Sequence, residues 1–220
     1  MKRFALAVLA AGTALAAAAP ASATLFIGVS VNGGAINQVA TDGGSGSANY
    51  NTTAGGFFYN VSATGVPLLI SPQLLTQSVN IMSTGGVAST IDVYITQNDL
   101  TSLGGGLLST FTTNTISGAT AQLRSYFSAS DILFGGTQLQ SANFTSGPST
   151  FQGSNPLTAT GLFSETVRYT LNFSGGTGSN FNGTANLAAV PEAATWGMMI
   201  LGFGVMGGVM RRRKTTVAFA

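Results

Sequence analysis

The sequence predicts an all-β chain, an antiparallel β-sandwich of the jelly-roll or immunoglobulin-like kind, bracketed by a cleaved signal peptide and a C-terminal transmembrane helix. Three observations carry that expectation. Between residues 24 and 189, apolar residues alternate with Ser, Thr and Asn at the period of two that lays one strand face on a core. The runs are short and are punctuated by glycine pairs at 33/34, 43/44, 55/56, 85/86, 135/136 and 175/176, where turns belong. No helical period separates them, which argues against βαβ crossovers and a parallel sheet, and no fixed repeat supports a β-solenoid. The chain divides into a signal peptide at 1–23, a sandwich domain at 24–189 and a tail at 190–220, with a helix at about 194–210 and a basic cytoplasmic end at 211–220.

The clearest strand runs from Leu162 to Phe173. Phe163, Val167, Tyr169, Leu171 and Phe173 share one face, and Ser164, Thr166, Arg168, Thr170 and Asn172 share the other. Glu165 interrupts the apolar face, so either the strand enters the core beyond it or a bulge intervenes. Thr90 to Thr96 repeats the pattern, with Ile91, Val93 and Ile95 inward and Asp92 and Tyr94 outward, before a turn at Gln97-Asn98-Asp99. Further strands are expected at 25–31, 57–61, 78–82, 107–113, 123–127, 138–144 and 181–187, about nine to eleven in all. Val39 to Thr53, mostly Thr, Gly, Ser, Ala and Asn, reads as a long surface loop. Gly175 to Asn180 reads as another loop, and Asn182 to Ala189 as either a last strand or a linker.

The two ends differ from the middle. Lys2 and Arg3, the apolar run from Phe4 to Ala19, and Ala21-Ser22-Ala23 after Pro20 have the three parts of a secretory signal, with cleavage after Ala23. A Sec-type export machinery and a signal peptidase are the partners this implies. At the far end the uncharged stretch Trp196 to Met210 is followed at once by Arg211, Arg212, Arg213 and Lys214. As a helix the stretch is roughly 22 Å long, short of the ~30 Å hydrocarbon layer, and the basic run assigns the cytoplasmic side. Gly204 and Gly208 stand in a G-x-x-x-G spacing that lets another helix approach closely.

The succession Val190-Pro191-Glu192-Ala193-Ala194-Thr195-Trp196, then Gly202-Phe203-Gly204, then Arg211-Arg212-Arg213, resembles the PEP-CTERM sorting signal, in its PEPxxWA variety. The resemblance covers about thirty residues. It implies recognition by an exosortase, a membrane transpeptidase-like enzyme linked to exopolysaccharide production, in a Gram-negative bacterium. It also implies cleavage near the motif and a transient membrane anchorage that ends in the cell envelope or outside the cell. Two positions depart from the pattern: Ala193 stands where a second proline is usual, and Gly197 where alanine follows the tryptophan. An extended Pro-Glu segment outside the bilayer also suits a cleavage groove on physical grounds.

Composition closes several functional classes. Cys and His are both absent, which removes Ser-His-Asp and Cys-His catalysis and the usual zinc and copper ligand sets. Between residues 24 and 190 only Arg124 and Arg168 oppose Asp42, Asp92, Asp99, Asp131 and Glu165, a balance of −3 that offers no basic face to nucleic acid. The carboxylates lie in no D-x-D-x-D-G loop, and serine in no G-x-S-x-G elbow, so neither a cofactor, a metal nor an enzyme activity is expected. Solvated or turn-capping roles are the expectation for the acids. Aromatics on outward strand positions can stack on sugars, and alternation makes Phe58, Tyr94 and Tyr126 the candidates. The sequence therefore reads as a non-enzymatic cell-surface or matrix protein, associated with biofilm exopolysaccharide, with a carbohydrate-binding module or a permanently anchored surface protein as the alternatives.

Overall fold

The computed structural model describes residues 23–69, 72–103, 105–190 and 193–212. Among these residues twelve strands precede one helix. They are β1 (Thr24–Val31), β2 (Asn37–Thr41), β3 (Ser47–Ala54), β4 (Phe57–Thr64), β5 (Gln73–Ser83), β6 (Ser89–Leu103), β7 (Leu107–Ser117), β8 (Ala119–Ser128), β9 (Thr137–Phe144), β10 (Ser149–Asn155), β11 (Ala159–Phe173) and β12 (Asn180–Ala189), followed by α1 (Ala193–Arg212). A front sheet has the order β2-β1-β6-β11-β8-β9 and a back sheet the order β10-β7-β12-β5-β4-β3. All the ladders are antiparallel, and the two sheets pack face to face as a sandwich.

The alternation decides which faces meet. Ile91, Val93 and Ile95 of β6, Val167, Tyr169 and Leu171 of β11, and Phe57, Tyr59 and Val61 of β4 all turn inward and are buried. Tyr169, Phe57, Phe111 and Phe181 are the largest side chains excluded from water in this cluster, and each contributes roughly 1.5–3 kcal/mol by burial. Aromatic pairs tie the sheets together, Phe57 with Phe173 at 5.0 Å and Tyr169 with Phe181 at 5.9 Å between ring centroids. A smaller cluster of Ala23, Val66, Leu100, Leu103, Leu107 and Phe163 closes one end of the sandwich.

Four expectations are corrected. Val39–Thr53 is not a loop: it contains most of β2 and β3, which occupy matching edges of the two sheets. An edge strand needs only a few apolar contacts, and Val39, Ala40 and Tyr50 supply them against the core. The strands number twelve, because β2, β3 and β10 are short polar edges whose hydrophobic period is too weak to see.

The turn expected at Gln97-Asn98-Asp99 is a bulge inside the fifteen-residue β6. Gln97 opposes Glu165 while Leu100 opposes Phe163, and Asp99, at φ 57°, absorbs the extra residue. The ambiguous segment Asn182–Ala189 is strand, central in the back sheet between β7 and β5. Finally, a helix forms where a transmembrane helix was expected, but among the described residues no helix is long and apolar enough to cross a membrane. Gly197, Gly202, Gly204, Gly207 and Gly208 dilute its apolar surface.

Candidate functional site

The outer face of the front sheet carries three rows of side chains, each fixed by strand register. One row runs Tyr94 on β6, Arg168 on β11, Arg124 on β8 and Ser141 on β9. Beside it run Asp92, Thr170, Gln122 and Asn143, and on the other side Thr96, Thr166, Tyr126 and Gln138. Both arginines of residues 24–190 therefore lie on one face, directly opposite each other on neighbouring strands.

Asp92 holds Arg168 with two bonds: Nε donates to Oδ1 at 3.1 Å and Nη2 to Oδ2 at 3.0 Å. The Thr170 hydroxyl donates to Oδ1 at 2.6 Å. The guanidinium lies over the Tyr94 ring at 5.1 Å, a cation–π contact. Burial works against the charge on Arg168, but hydrogen bonding and attraction from Asp92 outweigh it, so its pKa is raised. Burial raises the Tyr94 hydroxyl above the usual phenol value. Arg124 has no carboxylate among its described partners and donates instead to Gln122 Oε1.

The 129–136 connection folds over one end of this face. Phe134 meets the Tyr94 ring edge-on at 6.0 Å, and its N–H donates to Thr96 Oγ1 at 3.1 Å. Glycine at position 28 makes this possible, since a Cβ there would stand 2.8 Å from Ile36 and 2.9 Å from Phe134. Ser164 Oγ donates to the Ile132 carbonyl at 2.7 Å. Below this cover, Arg124, Gln122, Tyr126 and Arg168 stay half-buried and accessible.

Of the sugar-stacking candidates, Tyr94 and Tyr126 share this face, whereas Phe58 lies on the opposite outer face, beside Met82 of the back sheet. Tyr94 is 8% exposed, because Phe134 and Arg168 cover it, so of the two tyrosines Tyr126 offers the accessible ring. Arg124, Arg168, Asp92 and Gln122 escaped the sequence reading. Alternation placed Asp92 and Arg168 outward, but which strands are neighbours is not written in alternation.

The carboxylates do not share one role. Asp42 caps its loop, accepting N–H bonds from Leu25 and Gly44 at 2.9 Å and from Gly46 at 2.6 Å. Asp131 Oδ1 accepts the Asp99 N–H at 3.0 Å, and burial together with Asp131 raises the Asp99 pKa. Two expectations of solvated acids are corrected: Asp92 is buried in its ion pair, and Glu165 is wholly excluded from water.

Glu165 turns inward opposite Gln97, and among the described residues neither of its oxygens has a partner, nor has Gln97 Oε1. Burial pushes its carboxyl up to about 8. Other polar contacts cross the interior: Ser109 Oγ with Ser125 Oγ at 2.8 Å, Thr76 with the Tyr169 hydroxyl, and Gln97 Nε2 to the Val66 carbonyl at 2.9 Å. Along β11, Glu165 sits between Phe163 of the end cluster and Val167 of the main core. Among the described residues no three His, Cys, Asp or Glu side chains gather to hold a metal.

The tail leaves the sandwich from β12, where the Val190 N–H donates to the Gly106 carbonyl at 2.8 Å. Trp196, Gly202, Phe203, Gly204, Arg211 and Arg212 fall in α1, with Phe203 68% exposed. Pro191, Glu192 and Arg213 lie outside the described residues, as does Ala21 of the expected signal cleavage site. Ala23 is described: it is buried in the end cluster, next to the first residue of β1.

A family model for the PEP-CTERM protein-sorting motif matches residues 189–214. The chain carries a PEP-CTERM sorting motif. PEP-CTERM proteins are exported and surface-sorted, and the motif implies processing by an exosortase. The match speaks for the PEP-CTERM tail; no curated protein matches the chain as a whole.

Among solved structures the sandwich resembles TmCBM61, solved with β-1,4-galactotriose, at 15% identity and a TM-score of 0.31 over 55% of this chain and 90% of that one. It also resembles the K3 adhesin domain of Lys-gingipain from Porphyromonas gingivalis, at 15% identity and TM-score 0.31 over 59% and 72%. The mannan-recognising module TmCBM27 matches at 12% identity and TM-score 0.33 over 65% and 89%. These are distant likenesses between β-sandwiches.

Proposed function

We propose that this is a non-enzymatic protein of the cell surface or extracellular matrix. The PEP-CTERM tail delivers it, an exosortase-like enzyme cuts the tail, and the sandwich is left in the envelope or exopolysaccharide layer. The observation that carries this reading is a sorting motif over residues 189–214 attached to a central strand of a sandwich most of whose acids serve structure. Asp92 is spent on Arg168 and Asp42 on its loop, while Asp131 braces the β6 bulge. Asp99 and Asp131 interact with each other at that bulge, where Asp131 accepts the Asp99 N–H.

Intact-mass analysis of exported protein tests the sorting half. The expected species begins at Thr24 and lacks Arg211 to Ala220, and finding that basic end on every molecule would reject processing.

Carbohydrate binding by the outer face of the front sheet is the mode of action this geometry favours. Tyr126 supplies an accessible ring for stacking, Arg124 and Ser141 supply hydrogen-bond groups in the next row, and Gln122 in the row beyond. Titration of the exported protein with surface polysaccharide checks this. Binding should weaken by about tenfold or more in Tyr126→Ala, since a stacking ring is worth roughly 0.5–1.5 kcal/mol beyond its buried area. Unchanged binding would move the site elsewhere.

A further inference from the structure

We infer that the outer face of the front sheet recognises an acidic polysaccharide, a polymer of carboxylated sugars, with Arg124 as the group that meets the sugar carboxylate. The inference rests on the carbohydrate reading above and names the chemical class of the ligand.

The sandwich is poor in charge, yet its two arginines are placed directly opposite each other across β11 and β8. Like charges in opposed cross-strand positions, with Cβ atoms about 5 Å apart, destabilise a sheet. A fold built for stability alone would separate them. One carboxylate, Asp92, offsets one of the two, and it is committed to Arg168 through both oxygens. Arg124 is left with an amide oxygen as its partner, so the row keeps a net positive charge in an otherwise acidic domain.

The surroundings are those of a sugar site rather than a bare anion site. Tyr126 flanks Arg124 two residues along β8, on the same face, and gives a ring for stacking. Gln122 and Ser141 give neutral donors and acceptors on either side. Arg168 is fixed by Asp92 and by the Tyr94 ring. A planar guanidinium forks onto a carboxylate with two parallel bonds. A uronate offers that carboxylate on a ring whose apolar face suits Tyr126.

The test uses the exported protein and five probes: oligogalacturonate, oligomannuronate, the carboxyl-reduced form of each, and poly-L-glutamate. At least one acidic oligosaccharide should bind about tenfold more tightly than its reduced form, the scale of a charge-assisted hydrogen bond. That preference should shrink as salt rises. Arg124→Gln should abolish the preference, weakening the acidic oligosaccharide far more than its reduced form, and near-UV circular dichroism confirms that the variant is folded.

Equal affinity for acidic and reduced forms, both weakened by Tyr126→Ala, would overturn the acidic class and leave the carbohydrate site standing. Binding of poly-L-glutamate as tight as that of the uronates would show that charge alone is read, and overturn it too. If no sugar binds, or if Arg124→Gln and Tyr126→Ala both leave binding intact, the site itself falls.

Discussion

At the scale of single residues, Glu165 is the most costly choice in the sandwich. A carboxyl with no water and no partner is tolerated by staying protonated, which is why its pKa rises to about 8 from the usual 4.5. Between those values the folded chain holds a proton that the unfolded chain has released. Stability should therefore be full below about pH 4.5 and decline as pH climbs through 8, by a few kcal/mol at most. Urea unfolding at pH 5, 6.5 and 8 should show the midpoint falling steadily, and Glu165→Gln should flatten the trend. A wild-type midpoint that stays level over this range would contradict the buried neutral acid. The same residue shows what a sequence can announce: Glu165 visibly broke an apolar face and a bulge was one of two expectations, but its isolation from water could not be read. Isolation depends on Gln97 and the end cluster arriving from β6 and β7.

At the scale of elements, the connections carry as much information as the strands. The β8–β9 connection returns through Gly136 at φ 118°, where a Cβ would stand 2.4 Å from the Phe127 carbonyl oxygen. Gly136→Ala should cost about 1–3 kcal/mol, read as a lower urea midpoint, and should loosen the cover that Phe134 forms over Tyr94. In the tail, one of the two departures from the usual motif falls where the helix begins. Ala193 is the first residue of α1, where proline is welcome because its missing N–H would have no helical partner. Ala193→Pro should leave the helix intact and raise the fraction of exported protein that is processed, as read from the two masses. A fall in that fraction would show that alanine is the preferred residue for this chain's processing enzyme. Strands with strong alternation, such as β6 and β11, were legible with their faces. The polar edges β2, β3 and β10 were not, because a strand paired on one side draws its stability from ladder hydrogen bonds that leave no hydrophobic trace.

At the scale of the whole molecule, the sandwich and the sorting tail are separate units. The sandwich has its own core, while α1 leaves Met198, Ile200, Leu201, Phe203, Val205 and Met206 exposed. A chain ending at Val190 should accordingly melt within about 2 °C of the full chain, and a larger loss would show that the tail supports the fold. The sequence by itself determined the all-β class, the inward faces of the strong strands and the sorting motif. Each of these rests on local period or on a contiguous run of residues. Only the tertiary structure decided that Arg168 and Arg124 oppose each other, that Tyr94 is covered while Tyr126 is not, and that Phe58 lies on the far side. The physical reason is register. An outward residue's neighbours across a sheet come from strands tens of residues away, and hydrogen-bonded pairing across the whole sandwich fixes which of them stand side by side.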